Sequence, residues 1–223
     1  MLNRPRSIIR DLVVKTPLRR FSNAFHRYDY MFSPTQLAFL VDCVSKTEKV
    51  PGTILELGCA TGKTTVYLNK HLDELGSTRP YVCVDTFCGF TAEDVKVEAE
   101  QRAKPKERLD GFRVNKKEWF DRNLRDNGIS RVTSYEADIN GFDLAGNVGP
   151  VSFCLLDVDL YRPVHAALEK LWPLMSPGGI IVVDDVRDNS LFDGAHQAYA
   201  EFAKARSLPL ELVHGKLGVF RGS

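Results

Sequence analysis

Five short apolar runs, each closing on a glycine or an acid, constrain the fold of this 223-residue chain more than any other feature. They are residues 53–57 before Gly58, 81–85 ending on Asp85, 131–137 before Asp138, 151–156 before Asp157, and 180–183 before Asp184. Their length and β-branched content suit strands. The segments between them carry apolar residues at helical spacing, as in Val66, Leu68 and Leu72. Strand and helix alternate, which predicts an α/β fold with a single-domain, doubly wound parallel sheet. Residues 208–213 and 217–221, joined by a turn at Gly215, are expected to add a C-terminal antiparallel hairpin.

Helix punctuation supports this outline. Ser33-Pro34-Thr35-Gln36 reads as a capping box with Pro at the first helical position. Gly76 is expected to end the helix over 64–75. Ser176-Pro177-Gly178-Gly179 is expected to turn into the fifth strand. Residues 91–128 are the least regular, with two predicted helices at 91–104 and 115–126; so long a connection reads as a lid or a packed insertion.

Bulk properties exclude several functions. A net charge of +1 gives no electrostatic case for nucleic acid. No apolar run approaches the ~20 residues of a transmembrane helix. Residues 1–30 read as a basic arm, with Arg4, Arg6, Arg10, Lys15, Arg19 and Arg20 facing only Asp11 in its first 20 positions and no continuous apolar stretch like that of a secretory signal. The folded domain is expected over 31–223, with 91–128 as a possible lid insertion. Five cysteines without CxxC spacing suggest a reducing, cytoplasmic setting and no zinc. A homo-oligomer, most simply a homodimer, is the expectation for a soluble enzyme.

The chemistry concentrates at strand ends. Asp157-Val158-Asp159 and Asp184-Asp185 each close an apolar run. In one parallel sheet both pairs would lie at the carboxyl edge, where such sheets bind ligands. Four carboxylates brought together repel one another, and a hard divalent cation such as Mg2+ or Mn2+ resolves that cost. The plainer alternative is turn and helix-capping chemistry.

The loop Glu56-Leu-Gly-Cys-Ala-Thr-Gly-Lys-Thr64 joins a strand to a helix and presents backbone N–H groups to an anion. Three cofactor classes compete for it. A triphosphate-binding loop needs a glycine where Leu57 stands, and a dinucleotide fingerprint needs glycines where Ala60 and Lys63 stand. S-adenosylmethionine presents only a carboxylate to such a loop. Asp85 could then hold its ribose diol, and Asp138 its adenine amino group.

Glu56-Leu-Gly-x-x-x-Gly62, Asp85-Thr-Phe-x-Gly-Phe90, Leu156-Asp-x-Asp-Leu-Tyr161, Gly178-Gly-x-x-x-x-Asp-Asp185 and Gly194-Ala-His-Gln-Ala together resemble the TylF/MycF, macrocin O-methyltransferase-like family, over about residues 31–220. The resemblance implies a class I, Rossmann-like, metal-dependent sugar O-methyltransferase. It implies that Asp157, Asp184 and Asp185 bind the metal and that Asp159 is the general base. It also implies that Glu56, Gly58, Asp85 and Asp138 line the cofactor site. With them go the loop residues Cys59, Ala60, Gly62 and Thr64, the neighbours Thr86 and Ile139, and a closing segment at Met31 to Ser33. The family usually has Arg at His196, which is the rival base here. The implied partner is a small-molecule hydroxyl acceptor, a sugar. A catechol acceptor, a DxD glycosyltransferase and a non-catalytic binding module are the alternatives.

Overall fold

The structure, a computed structural model, describes residues 28, 30–110 and 112–222. Met1–Met31 form one unit, of which Tyr28, Tyr30 and Met31 are described; the rings of Tyr28 and Tyr30 stand 5.7 Å apart. The expected basic arm therefore lies almost wholly outside the described residues. Phe32–Ser223 form the second unit, which holds everything below. No helix among the described residues is long and apolar enough to cross a membrane.

In chain order the elements are α1 (Pro34–Lys46), β1 (Thr53–Leu57), α2 (Lys63–Glu74), β2 (Tyr81–Asp85), α3 (Ala92–Arg102), α4 (Lys117–Asp126), β3 (Val132–Glu136), α5 (Leu144–Val148), β4 (Val151–Leu156), α6 (Tyr161–Leu171), β5 (Met175–Val183), α7 (Asp193–Ala205), β6 (Glu211–Val213) and β7 (Leu217–Arg221). They build one seven-stranded sheet in the order β3-β2-β1-β4-β5-β7-β6. The first five strands run parallel, and β7 pairs antiparallel with both β5 and β6. The order reverses between β1 and β4, so the crevice outside their carboxyl ends is the expected ligand position.

The central strands are buried along their whole length, as the continuous apolar runs require of a sheet covered on both faces. One face packs under α6 and α7, where Leu168, Leu171, Tyr199 and Phe202 meet strand residues such as Leu156, Ile181 and Phe220. The capping box forms as the sequence predicts: Gln36 N–H donates to Ser33 Oγ, and Ser33 N–H to Gln36 Oε1 at 2.8 Å.

One expectation changes, and one short helix had no sequence signal. Ser176–Gly179 does not precede the fifth strand but lies inside it, since β5 begins at Met175. Met175 pairs with Val151 and Ile180 with Phe153, so four residues face one and the Pro-Gly-Gly stretch bulges out of the ladder. The short α5, capped by Asp143 accepting from Gly146 N–H, has too few residues to show a helical period.

Candidate active site

Three strand ends fix the glycine loop. Gly58 sits at φ +82, and a Cβ there would fall 1.8 Å from the Asp157 carbonyl oxygen, so only glycine lets β1 and β4 close together. Asp157 N–H then donates to the Leu57 carbonyl at 2.8 Å, tying the loop to the first acidic pair. Gly62, at φ +80, is the N-cap of α2 and supplies no side-chain cap. A Cβ on it would lie 2.8 Å from the Phe120 ring. Cys59 is buried, and Ala60 takes φ +46.

Asp85 faces this loop. One of its carboxylate oxygens accepts from the N–H groups of Cys59 and Ala60, both at 2.8 Å, and the other from Phe87 N–H at 2.6 Å. That leaves acceptor capacity on a carboxylate already aimed at the loop. Thr86 closes the next turn by donating to the Gly89 carbonyl. Asp138 accepts from the backbone and side-chain N–H of Asn140, while its neighbour Ile139 is buried.

Glu56 stands differently from the other cofactor candidates. It is 1% exposed and accepts from Thr65 Oγ1 at 2.6 Å and Tyr81 OH at 2.8 Å. Burial pushes its carboxyl up to about 7, with the two hydroxyls opposing that rise. It braces β1, β2 and α2 beneath the loop. Thr64 is half-buried in the first turn of α2. Ser33 is engaged in capping α1, and Met31, 75% exposed, belongs to the first unit.

The four acids lie just past the ends of β4 and β5. Asp157 and Asp184 extend the parallel ladder: Asp184 N–H donates to the Leu156 carbonyl at 2.9 Å. Asp159 sits at φ +62 in a γ-turn closed by Leu160 N–H on the Val158 carbonyl, and Asp185 at φ +54. Asp184 and Asp185 are buried. Burial, then the charges of Asp184 and Asp159, holds the Asp157 carboxyl well above the usual range. Burial, then the charges of Asp185 and Asp184, does the same to Asp159. Burial lifts Asp184 to about 6, against the opposing pull of Lys216.

Lys216 is the cation these carboxylates meet. Its Nζ lies 2.6 Å from Asp184 Oδ2 and 3.5 Å from Asp185 Oδ1. Asp184 Oδ1, also buried, has no hydrogen-bond partner. An all-oxygen donor set with an orphaned buried carboxylate oxygen, and more carboxylates than its one ammonium can pair, suits a hard divalent cation. Among the described residues, however, no three acidic, His or Cys side chains stand drawn together as a ready ligand set. The acids are arranged around the lysine.

His196, the rival base, lies on α7 with Nδ1 2.8 Å from Asp188 Oδ1, so its ring is oriented by an exposed acid of the loop after Asp185. Of the aromatic residues near the site, Phe87 and Phe120 are buried against each other, and Trp119 is exposed.

Two contributors escaped the sequence reading. Lys216 lies on the hairpin turn. Glu98 lies in the irregular 91–128 segment, buried, with Oε1 accepting from Tyr161 N–H at 2.8 Å and Oε2 from Arg102 Nε at 2.9 Å. It caps α6, whose own N-cap residue Leu160 has no capping side chain. That segment is further held by Arg102 and Lys104 on Asp193, and by Asp94 between Asn140 and Arg162. The β5–β7 pairing of Val183 with Gly218 brings Lys216 to Asp184, and the sequence carried no signal of it.

A family model described as Macrocin-O-methyltransferase (TylF) matches residues 28–220. A curated relative from Streptomyces olivaceus, 8-demethyl-8-(2,3-dimethoxy-alpha-L-rhamnosyl)-tetracenomycin-C 4'-O-methyltransferase, is 30% identical over 185 residues, 77% of this chain. The match spans 66% of that relative, just under two thirds of its length. Among solved structures, the O-methyltransferase NovP superposes with a TM-score of 0.71 at 18% identity, covering 97% of this chain and 99% of its own. The calicheamicin methyltransferase CalS11 gives 0.69 at 22% identity, covering 96% and 90%. An O-methyltransferase from Bacillus cereus in complex with SAH gives 0.54 at 18%, covering 95% and 94%. These structural likenesses establish the fold, that of class I, Rossmann-like methyltransferases.

Proposed function

The chain belongs to the TylF macrocin-O-methyltransferase family, and on that premise we propose that it methylates a hydroxyl of a sugar or glycosylated small molecule with the help of a divalent cation. Membership makes it an S-adenosylmethionine-dependent O-methyltransferase and removes the glycosyltransferase and non-catalytic alternatives. The sugar acceptor is supported by the rhamnosyl substrate in the relative's name. The observation that carries the metal is the orphaned, buried Asp184 Oδ1 within a cluster of four acids.

Asp157, Asp184 and Asp185 would hold the cation, and the loop from Gly58 to Gly62, with Asp85 and Asp138, the cofactor. When bound, S-adenosylmethionine supplies the electrophilic methyl group, and a divalent cation favours loss of a proton from the acceptor hydroxyl. The chain's own part is to position and to take a proton. Asp159 sits two residues beyond Asp157 on the γ-turn, with its carboxyl held above the usual range by burial and then by the charges of Asp185 and Asp184. Once ionised, a carboxylate so raised is a stronger base than an ordinary aspartate. Glu98 holds the backbone just after Asp159 by accepting from Tyr161 N–H at the start of α6.

The test is methyl transfer to a panel of deoxysugar glycosides and catechols, with Asp159→Asn beside the wild type. Turnover on glycosides, lost by at least about a hundredfold in Asp159→Asn while S-adenosylhomocysteine affinity holds, is the expected result. Turnover on catechols alone would replace the acceptor class. Undiminished turnover in the variant would hand the base role to His196.

A further inference from the structure

We propose that Lys216 is a resident counter-ion of the acidic cluster, and that a divalent cation binds there only by displacing its ammonium group. This rests on the metal-assisted reading above and adds to it a residue that sets how much metal the protein needs.

The lysine is delivered by construction. It closes the turn between β6 and β7, in which His214 and Gly215 take φ +50 and +81. Gln36 Nε2 donates to the His214 carbonyl at 2.9 Å, and the Phe39 ring meets His214 at 5.0 Å, so α1 holds one side of the turn. The Lys216 carbonyl accepts from Val186 N–H at 2.8 Å, so the residue after Asp185 holds the other. The side chain is 15% exposed, and its ammonium lies 4.9 Å from the centre of the buried Phe32 ring. An aromatic face over an ammonium adds cation–π attraction to the ion pairs. A surface lysine that drifted onto an acid would have neither a pinned backbone on both sides nor a ring beneath its head.

The lysine also engages the oxygen a metal needs. Asp184 Oδ2 is taken at 2.6 Å, Asp185 Oδ1 faces the same ammonium at 3.5 Å, and Asp184 Oδ1 is left unpartnered. An ammonium and a divalent cation sharing those carboxylates would repel each other. The four-carbon stem lets the head move away without moving the pinned turn. Displacement thus exchanges one cation for another of higher charge and leaves the fold in place.

The experiment measures Mn2+ binding to the full chain by electron paramagnetic resonance, for wild type, Lys216→Met and Lys216→Arg. S-adenosylhomocysteine calorimetry on each sample reports that the loop is intact. Removing the resident charge is expected to tighten Mn2+ at least about tenfold, while Lys216→Arg stays near wild type. If Lys216→Met fails the calorimetric control, Lys216→Gln takes its place. Mn2+ affinity unchanged or weakened in the neutral variant overturns the displacement idea alone, since the wild type still binds metal. Absence of Mn2+ binding in wild type and neutral variant alike overturns the metal reading as well.

Discussion

Replacing Glu56 with Gln should make the protein's stability less sensitive to pH, in a direction and by an amount the structure fixes. The Glu56 carboxyl is buried and raised to about 7 from an unfolded value near 4.5. Between those values the folded chain holds a proton that the unfolded chain releases. Stability therefore falls as pH rises through that window: what Glu56 contributes is complete below about 4.5 and gone above about 7. The gap corresponds to about 3 kcal/mol. Gln keeps the shape and an acceptor oxygen for Thr65 and Tyr81 but carries no proton to lose. Urea unfolding of both proteins from pH 4 to 8, with stability taken from the midpoint and slope, isolates this group, since all other titrations are shared. The variant should gain about 3 kcal/mol on the wild type across that range. A constant difference between them at every pH would mean that Glu56 titrates near its ordinary value, and the picture of a buried brace under the loop would be wrong.

Gly194→Ala tests the cap on α6 through its sign. Helix propensity alone favours Ala by about 1 kcal/mol, but a Cβ there would lie 2.6 Å from both Glu98 Oε1 and Tyr161 N. Destabilisation of about 1–3 kcal/mol by thermal unfolding is expected, and a stabilised variant would refute the close approach. Gly62→Ala and Gly76→Ala form a pair in which both positions have positive φ. Only Gly62 also faces Phe120, at 2.8 Å, whereas nothing lies within 4 Å of Gly76. Both should lose about 1 kcal/mol to backbone strain, but calorimetry should show S-adenosylhomocysteine binding weakened at least about tenfold in Gly62→Ala alone; equal affinities would remove the loop from the cofactor site.

The fold was legible because each central strand writes its own length: an apolar run ends where the sheet edge meets polar chemistry. Thr53–Leu57, Tyr81–Asp85 and Val151–Leu156 lie where those runs lie. The fifth strand was shortened because Pro177, Gly178 and Gly179 read as a turn, and a bulge uses the same residues for a different purpose. The acids themselves were visible, since paired carboxylates after apolar runs are a local pattern. What completes them was not. Lys216 is 32 residues from Asp184, and Glu98 is 63 from Tyr161. Neither separation has a period, and a lone lysine in a turn or a glutamate on a charged helix looks like solvated surface until the sheet order is known.

The backbone at Asp159 and Asp185 accords with the proposal that these acids serve chemistry rather than capping. Both are non-glycine residues at positive φ, +62 and +54. Each such position costs of order 1 kcal/mol or more. Glycine at either would relieve the strain, and asparagine would tolerate it while removing a negative charge from a crowded, buried cluster. A stable fold alone would favour both changes, which fits the proposal that the two carboxylates serve a site. The surroundings over-determine them: Glu98 clamps the chain just after Asp159, and the Lys216 carbonyl clamps it just after Asp185. Two independent braces, one from the 91–128 segment and one from the terminal hairpin, converge on the two strained acids. That convergence is what a site needs when charged groups must stand together before anything arrives to neutralise them.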